Sequence, residues 1–341
     1  MLTAVDLFAG AGGLSEGLRQ SGFRVVAAVE LDPISAESYR FNHPDTPMLI
    51  ADVRKVTGPR LRKLANLRVG DLDLLTGCPP CQGFSTLQTR RRNSKVNDHR
   101  NSLIFQVLRL ARSLRPRVVL IENVPGLASD HRFTEFCSKL QRQGYHTDYR
   151  ILDATHFGVP QRRKRLVLIA MRGLEIPGDW SAHREPTRTV RDAIDTLPPA
   201  GASGDALHDF PERRSAKVME RIRATPRDGG SRSDLPPELN CPCHQRNSGY
   251  FDVYGRMAWD EVAPTITSGC HNPSRGRFLH PHEHRAITLR EAALLQAFPR
   301  EYEFDLSRGK EHVARQIGNA FPPRLIRPIA ASISRVLQQH R

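Results

Sequence analysis

No apolar run among the 341 residues approaches the roughly 20 needed to cross a bilayer, which excludes a helical membrane protein. The start, Met1-Leu2-Thr3-Ala4-Val5-Asp6, lacks a basic segment followed by an apolar one, so no secretory signal is visible. Cysteine is scarce: six residues without regular spacing do not read as a disulfide framework in a chain this long. A cytoplasmic protein is therefore expected, and any special cysteine in it is reactive or metal-binding. Internal repeats and low-complexity tracts are absent too. Acidic residues are outnumbered, 36 Asp and Glu against 51 Lys and Arg, for a net charge of +15. That balance favours polyanionic partners, because each neutralised phosphate releases counterions. Charge alone does not separate nucleic acid from an anionic membrane surface, but with no spanning run a membrane partner is not expected.

The hydrophobic share of 39% and charged share of 26% are ordinary for a globular chain, and the length suits one large domain plus a smaller one. The first part alternates short apolar runs with amphipathic stretches, the pattern of a parallel sheet wrapped by helices. Strands are predicted at 2–6, 24–30, 48–51, 72–76, 118–122 and 166–171. Helices are predicted at 14–21, closed by Gly22, from Pro33 onward, and at 102–113. After Arg172 the texture turns rich in Pro, Gly, Arg and Asp, and from Thr288 it is helical again. The expected organisation is a catalytic and cofactor-binding domain over 1–171, a small irregular domain over 172–285, and a segment 286–341 returning to the first.

The glycine turn after the first strand, with Gly10, Gly12 and Gly13, gives room for a ligand beside a helix N-terminus. Ser15 stands where a dinucleotide fingerprint needs its third glycine, which disfavours a pyrophosphate. Glu30 ends the second strand, where a carboxylate can accept from ribose hydroxyls, and Asp52 follows the third, in the place for an adenine amino group. Each acid alone reads as a solvated strand end. At the ends of three successive strands the turn and both acids read together as a site for an adenosine without phosphates, and no Gly-Lys-Ser/Thr loop contradicts this.

The strand at 72–76 leads into Gly77-Cys78-Pro79-Pro80-Cys81-Gln82, where two prolines fix the backbone and put Cys81 on a stiff turn. A cysteine so placed can be a nucleophile once ionised. The Cys78-x-x-Cys81 spacing also fits a redox pair or half a zinc site, for which the other candidates are Cys241-Pro242-Cys243-His244 and Cys270-His271. Glu122-Asn123-Val124 closes the strand at 118–122, and a Glu122 buried against apolar neighbours would suit a general acid. Gln161-Arg162-Arg163-Lys164-Arg165 runs into the next strand, so its arginines are expected to face the cleft. Arg90-Arg91-Arg92 reads as a basic loop able to close on phosphates.

These runs, in this order, resemble the DNA cytosine-5 methyltransferase family along nearly the whole chain. Asp6-Leu7-Phe8-Ala9-Gly10-Ala11-Gly12-Gly13 is similar to its cofactor loop, Pro79-Pro80-Cys81-Gln82 to its catalytic motif, Glu122-Asn123-Val124 to its acid motif, and Gln161-Arg162-Arg163-x-Arg165 to its arginine motif. The stretch 290–299 is similar to its scaffold for the small domain, and 316–323 resembles its last motif. The resemblance implies a mixed, mostly parallel α/β sheet of the S-adenosylmethionine-dependent type with helices on both faces, plus an irregular target-recognition domain. It implies S-adenosylmethionine as cofactor, held by Phe8, Ala9, Gly10, Gly12, Gly13, Leu14, Glu30, Leu31, Asp52, Val53, Pro80, Asn319 and Ala320. Leu31 stands where many members carry an aromatic residue, and Cys78, in place of a smaller residue, is expected to have no role.

The implied reaction is methyl transfer to C5 of a cytosine flipped from duplex DNA, with Cys81 as nucleophile, Glu122 acting at N3, and Arg163 and Arg165 positioning the base. Gln82, Ser85, Arg90, Arg91, Arg92, Gln161, Arg256 and Thr265 are the implied DNA contacts, Thr265 near the flipped base. No metal is expected, although the Cys241 cluster leaves the question open. A monomer is expected, with no regulatory domain before the first strand; whether a restriction endonuclease is paired with it stays open. Rival readings are a tRNA cytosine-5 methyltransferase on the same fold, an inactive DNA-binding regulator, and, more remotely, an NAD-dependent oxidoreductase. The tRNA branch carries a Cys-Phe-Thr run that this chain lacks.

Overall fold

A computed structural model describes residues 1–80, 102–240 and 252–340. Contacts divide them into two compact units, the first made of Met1–Asp153, Lys164–Arg184 and Phe321–Arg341, the second of Ala154–Arg163 and Glu185–Ala320.

The first unit is built on seven strands: β1 (Leu2–Leu7), β2 (Phe23–Glu30), β3 (Met48–Ile50), β4 (Leu74–Gly77), β5 (Val118–Asn123), β6 (Tyr145–Asp153) and β7 (Lys164–Arg172). Their spatial order is β3-β2-β1-β4-β5-β7-β6. Strands β1 to β5 pair in parallel, while β7 runs antiparallel to both β5 and β6. The helices α1 (Gly13–Gln20), α2 (Pro33–Asn42), α3 (Gly58–Ala65), α4 (Ile104–Leu114) and α5 (His131–Gln141) make the crossovers and flank the strands. Every residue of β5 is buried, as expected of a central strand covered on both faces. Helix α4 buries Ile104, Val107, Leu108, Leu110, Ala111 and Leu114, a stripe at helical spacing packed in the main core.

Local signals act as the sequence predicts at several ends. Asp32 caps α2 through the Ile34 amide at 3.3 Å, with Pro33 in the first turn. Gly22 closes α1 with a φ of 82°, a left-handed value that glycine adopts without strain. Strand β6 is the one sheet member the apolar runs did not predict. It lies at the sheet edge and most of its residues are half-buried or exposed, so it shows no continuous hydrophobic run.

The second unit has little regular structure, as its composition implies. Among the described residues its helices are α6 (Val190–Ile194), α7 (Ala216–Ala224), α8 (Leu289–Leu295) and α9 (Lys310–Asn319). Thr288 and Glu291 form a capping box on α8, and Arg285 holds the Glu291 carboxylate with two bonds of 2.8 and 2.7 Å. Ile222, Val253, Tyr254 and Leu279 form a small apolar cluster. Among the described residues, no helix is long and apolar enough to cross a membrane.

The last helix, α10 (Pro323–Gln339), belongs to the first unit and lies against α1. The approach is close because Gly17 has no side chain: a Cβ there would lie 2.1 Å from Ile326 Cγ2 and 2.4 Å from the Pro323 carbonyl oxygen. Gly17→Ala gains helix propensity but forces this contact apart, and overpacking of this kind costs about 1–3 kcal/mol. Chemical denaturation should show that loss; an unchanged or raised midpoint would contradict the close packing.

Candidate active site

The glycine turn leaves β1 through Phe8, Gly10 and Gly12, whose φ values are 59°, 56° and 96°. Three left-handed residues in five turn the chain sharply out of the sheet, and Gly10 faces open space where a Cβ would stand. The turn is braced from behind. Ala9 N–H donates to the Val29 carbonyl at 3.0 Å, and His43 donates to the Gly12 carbonyl. Glu30 takes the Gly10 amide on Oε2 and the Asp32 amide on Oε1, both at 2.8 Å. Beyond these amides the carboxyl keeps lone-pair capacity for a ligand donor, and burial moves it above its ordinary range.

Beneath the turn, Asp6 is fully buried and accepts the Ser15 hydroxyl at 2.6 Å, while Tyr39 donates to Ser15 at 2.9 Å. Burial raises the Asp6 pKa to about 7, against the lowering effect of Ser15 and with a smaller push from Glu30. Asp52 accepts from the Arg54 amide at 2.9 Å and from its guanidinium, which holds the carboxyl below its usual range. Val53 is buried, Gly13 and Leu14 are buried at the start of α1, and Leu31 is 62% exposed. The turn, Glu30, Leu31, Asp52, Val53 and the exposed Pro80 all lie in the first unit. Asn319 and Ala320 lie in the second, Asn319 exposed and the Ala320 carbonyl already accepting from Arg163 and Gln296.

Next along the same sheet edge, β4 ends at Gly77 and β5 at Asn123. Cys78 N–H donates to the Leu7 carbonyl at 3.3 Å, and the chain then turns at the buried Pro79. The Asn123 amide donates to the Pro79 carbonyl at 3.0 Å while its oxygen accepts the Val124 amide at 2.8 Å. Asn123 thus fastens the proline turn to the end of β5, a role that sequence reading did not assign. Glu122, only 8% exposed, meets Arg165 at the start of β7: Oε1 and Nε are 2.7 Å apart. The expected apolar setting of Glu122 therefore includes a guanidinium. Cys81, Gln82, Ser85, Arg90, Arg91 and Arg92 lie outside the described residues, as do Cys241, Cys243 and His244.

Three expected site residues turn out to be tied up inside the second unit. Arg163 is 2% exposed and its guanidinium bonds the carbonyls of Ile266, Gly318 and Ala320, each at 3.0 Å. The expected pair of base-positioning arginines thus divides, with Arg165 alone beside Glu122. Gln161, expected at DNA, is fully buried: it donates to the Leu295 carbonyl at 2.8 Å and accepts from the Ile266 amide at 3.1 Å. Arg256, also expected at DNA, is fully buried with its guanidinium among the carbonyls of Pro226, His280, Glu283, Ile222 and Thr225. Burial, with Arg227 nearby, lowers its pKa to about 10. Both side chains are bonded there to the protein's own main chain. Thr265 is half-buried, and its hydroxyl donates to the Arg162 carbonyl.

Compared with known proteins, residues 2–335 match the family model of C-5 cytosine-specific DNA methylases. The chain belongs to that family. It is similar to the Type II methylase M.HgiDII of Herpetosiphon aurantiacus, 38% identical over 98% of this chain and 95% of the relative. The Type II methyltransferase M.XorII of Xanthomonas oryzae is 36% identical over 98% of this chain and 85% of the relative. Among solved structures, one assigned as a DNA modification methyltransferase encoded within an E. coli prophage superposes with a TM-score of 0.77 at 25% identity, covering 99% of this chain and all of that one. The Dnmt2 methyltransferase of S. pombe shares the fold, with a TM-score of 0.67 at 20% identity over 100% of this chain and 99% of that one. The methylase fold is thus the mixed, mostly parallel sheet expected, and the enzyme is a DNA cytosine-5 methyltransferase.

Two outcomes follow for this methylase. Arg256→Ala leaves several buried carbonyls without donors and should cost about 3 kcal/mol of stability. The salt dependence of DNA binding by the folded protein should stay as it was; a stable variant with a shallower salt slope would restore Arg256 to the DNA interface. Asp6 holds its proton in the fold up to about pH 7 but loses it near 3.8 when unfolded, so the folded state binds the extra proton between those values. Its contribution to stability therefore falls as pH rises from about 4 to 7 and is flat above. Stability curves for wild type and Asp6→Asn should diverge over that window, and parallel curves would refute the buried, protonated acid.

Proposed function

We propose that this methylase transfers a methyl group from S-adenosylmethionine to C5 of a cytosine flipped out of a specific duplex DNA sequence, through a covalent Cys81–C6 adduct. The observation that carries the reading is the single strand-end rim on which Asn123 holds the proline turn and Glu122 meets Arg165.

The residues present fit the cofactor. The glycine turn leaves open space at Gly10, Glu30 is anchored with lone pairs to spare, and the broken glycine pattern makes no provision for a pyrophosphate. Phe8, Ala9, Gly12, Gly13, Leu14, Leu31, Asp52, Val53 and Pro80 are assigned to that wall, and the resemblance to the family assigns Asn319 and Ala320 to the same cofactor. When bound, S-adenosylmethionine supplies an electrophilic methyl group on a sulfonium.

The protein's share is to make C5 of cytosine nucleophilic. The Cys81 thiolate adds to C6, and the electrons of the C5–C6 bond move into the ring. Glu122 hydrogen-bonds or protonates N3, while Arg165 offers positive charge to the base oxygen. C5 so activated accepts the methyl group. Loss of the C5 proton then restores the double bond and expels Cys81, which regenerates the free thiolate. The second unit is assigned the reading of bases through the major groove, with Thr265 near the flipped base. Gln82, Ser85, Arg90, Arg91 and Arg92, beyond the proline turn, are assigned to the DNA. The enzyme acts as a cytoplasmic monomer, which a restriction endonuclease can accompany.

Cys81→Ser should abolish transfer of tritiated methyl groups to duplex DNA while DNA and cofactor binding persist. Full turnover by that variant would sink the covalent route, and transfer to tRNA in preference to duplex DNA would overturn the substrate.

A further inference from the structure

Cys78 was expected to be a bystander, yet the strand register places it beside the proposed acid. Gly77 of β4 is the Cα partner of Ile121 in β5, so the residue after each, Cys78 and Glu122, leaves the sheet at neighbouring points on one rim. The Cys78 backbone is fixed there by its bond to the Leu7 carbonyl, and the next residue is fixed by Asn123. Residues at matching positions of paired strands point to the same face, so the Cys78 thiol is set beside the Glu122 carboxyl, and Arg165 Nε lies 2.7 Å from Oε1 of that carboxyl. Glu122 thus has a thiol and a guanidinium beside it, brought from two different strand ends.

We propose that Cys78 is a positioning residue for the methyl-transfer reaction: its thiol donates to Glu122 and, together with Arg165, sets the plane of that carboxyl. The inference rests on the assignment of Glu122 as the group that acts at N3 of the cytosine. A carboxyl turns about its terminal torsion in a broad well, and one contact on one oxygen leaves much of that rotation open. A second donor from another strand closes it. A carboxyl that must meet a ring nitrogen edge-on gains rate from being held in the right plane before the base arrives. The role needs the thiol as a donor, not as a nucleophile. Burial, with the negative charges of Glu122 and Asp6 nearby, keeps Cys78 well above the ordinary thiol range, so it holds its proton.

The test uses the full-length enzyme, cofactor and duplex DNA free of cytosine methylation, with Cys78→Ala, Cys78→Ser, Glu122→Gln and the Cys78→Ala/Glu122→Gln double variant. Loss of one hydrogen bond to a charged group should lower kcat of Cys78→Ala roughly tenfold, with KM for DNA and for S-adenosylmethionine and the melting temperature unchanged. Cys78→Ser, which keeps a donor, should recover most of the rate. In the Glu122→Gln background, Cys78→Ala should cause little further loss, since the pair acts as a unit. Wild-type kcat in Cys78→Ala, no rescue by serine, or additive losses in the double variant would each overturn the proposal. An unimpaired Glu122→Gln enzyme would instead remove the assignment on which it rests, so the two failures are distinct.

Discussion

The antiparallel pairing of β7 against β5 is the constraint on which the proposed chemistry depends. In that register Glu122 lies opposite Val167 and Asn123 opposite Leu166, so Arg165 stands at the open end, next to the acid. A further parallel strand would have entered from the other edge and delivered its first residues to the far side of the sheet. The reversal brings a cation to a rim otherwise supplied by the C-terminal ends of parallel strands. The strands behind it are apolar and buried, so the rim residues are held by a core that gives them little freedom.

The second unit solves a different problem. It has few regular elements, and many main-chain carbonyls inside it lack strand or helix partners. Guanidinium groups satisfy them: Arg163 bonds three carbonyls, Arg256 several more, and Arg221 the Leu239 carbonyl at 2.7 Å. Arginine suits this work because its planar fork offers five donors and stays charged when buried. Part of the chain's excess of Lys and Arg is therefore internal scaffolding. A net charge of +15 supports a polyanionic partner in general, without marking every arginine as a phosphate contact.

The strands of the parallel core were legible because each is a short apolar run ending in a recognisable turn, and the acid at Glu122 and the glycine turn fell where those strands end. The edge strand β6 was not, because a half-exposed edge leaves no apolar signature. Within the candidate site, residue type and order located the rim, but the partner of each side chain was hidden. Gln161 and Arg163 occupy a motif rich in charge, yet the structure turns them inward onto carbonyls. Asn123 sits in a motif that was read for its glutamate, while its amide fastens the proline turn. Cys78 reads as a stand-in for a smaller residue, and its closeness to Glu122 comes from strand register rather than from sequence spacing. Hydrogen bonds between residues distant in sequence leave no local periodicity, and these were the relations missed.

The account stands most directly on the position of methylation. Bisulfite sequencing of DNA from a host expressing this chain, beside the same host expressing Cys81→Ser, should show conversion-resistant cytosines confined to one short duplex sequence, present only with the wild-type chain. Complete conversion with the wild-type chain, or the same resistant cytosines with Cys81→Ser, would contradict it.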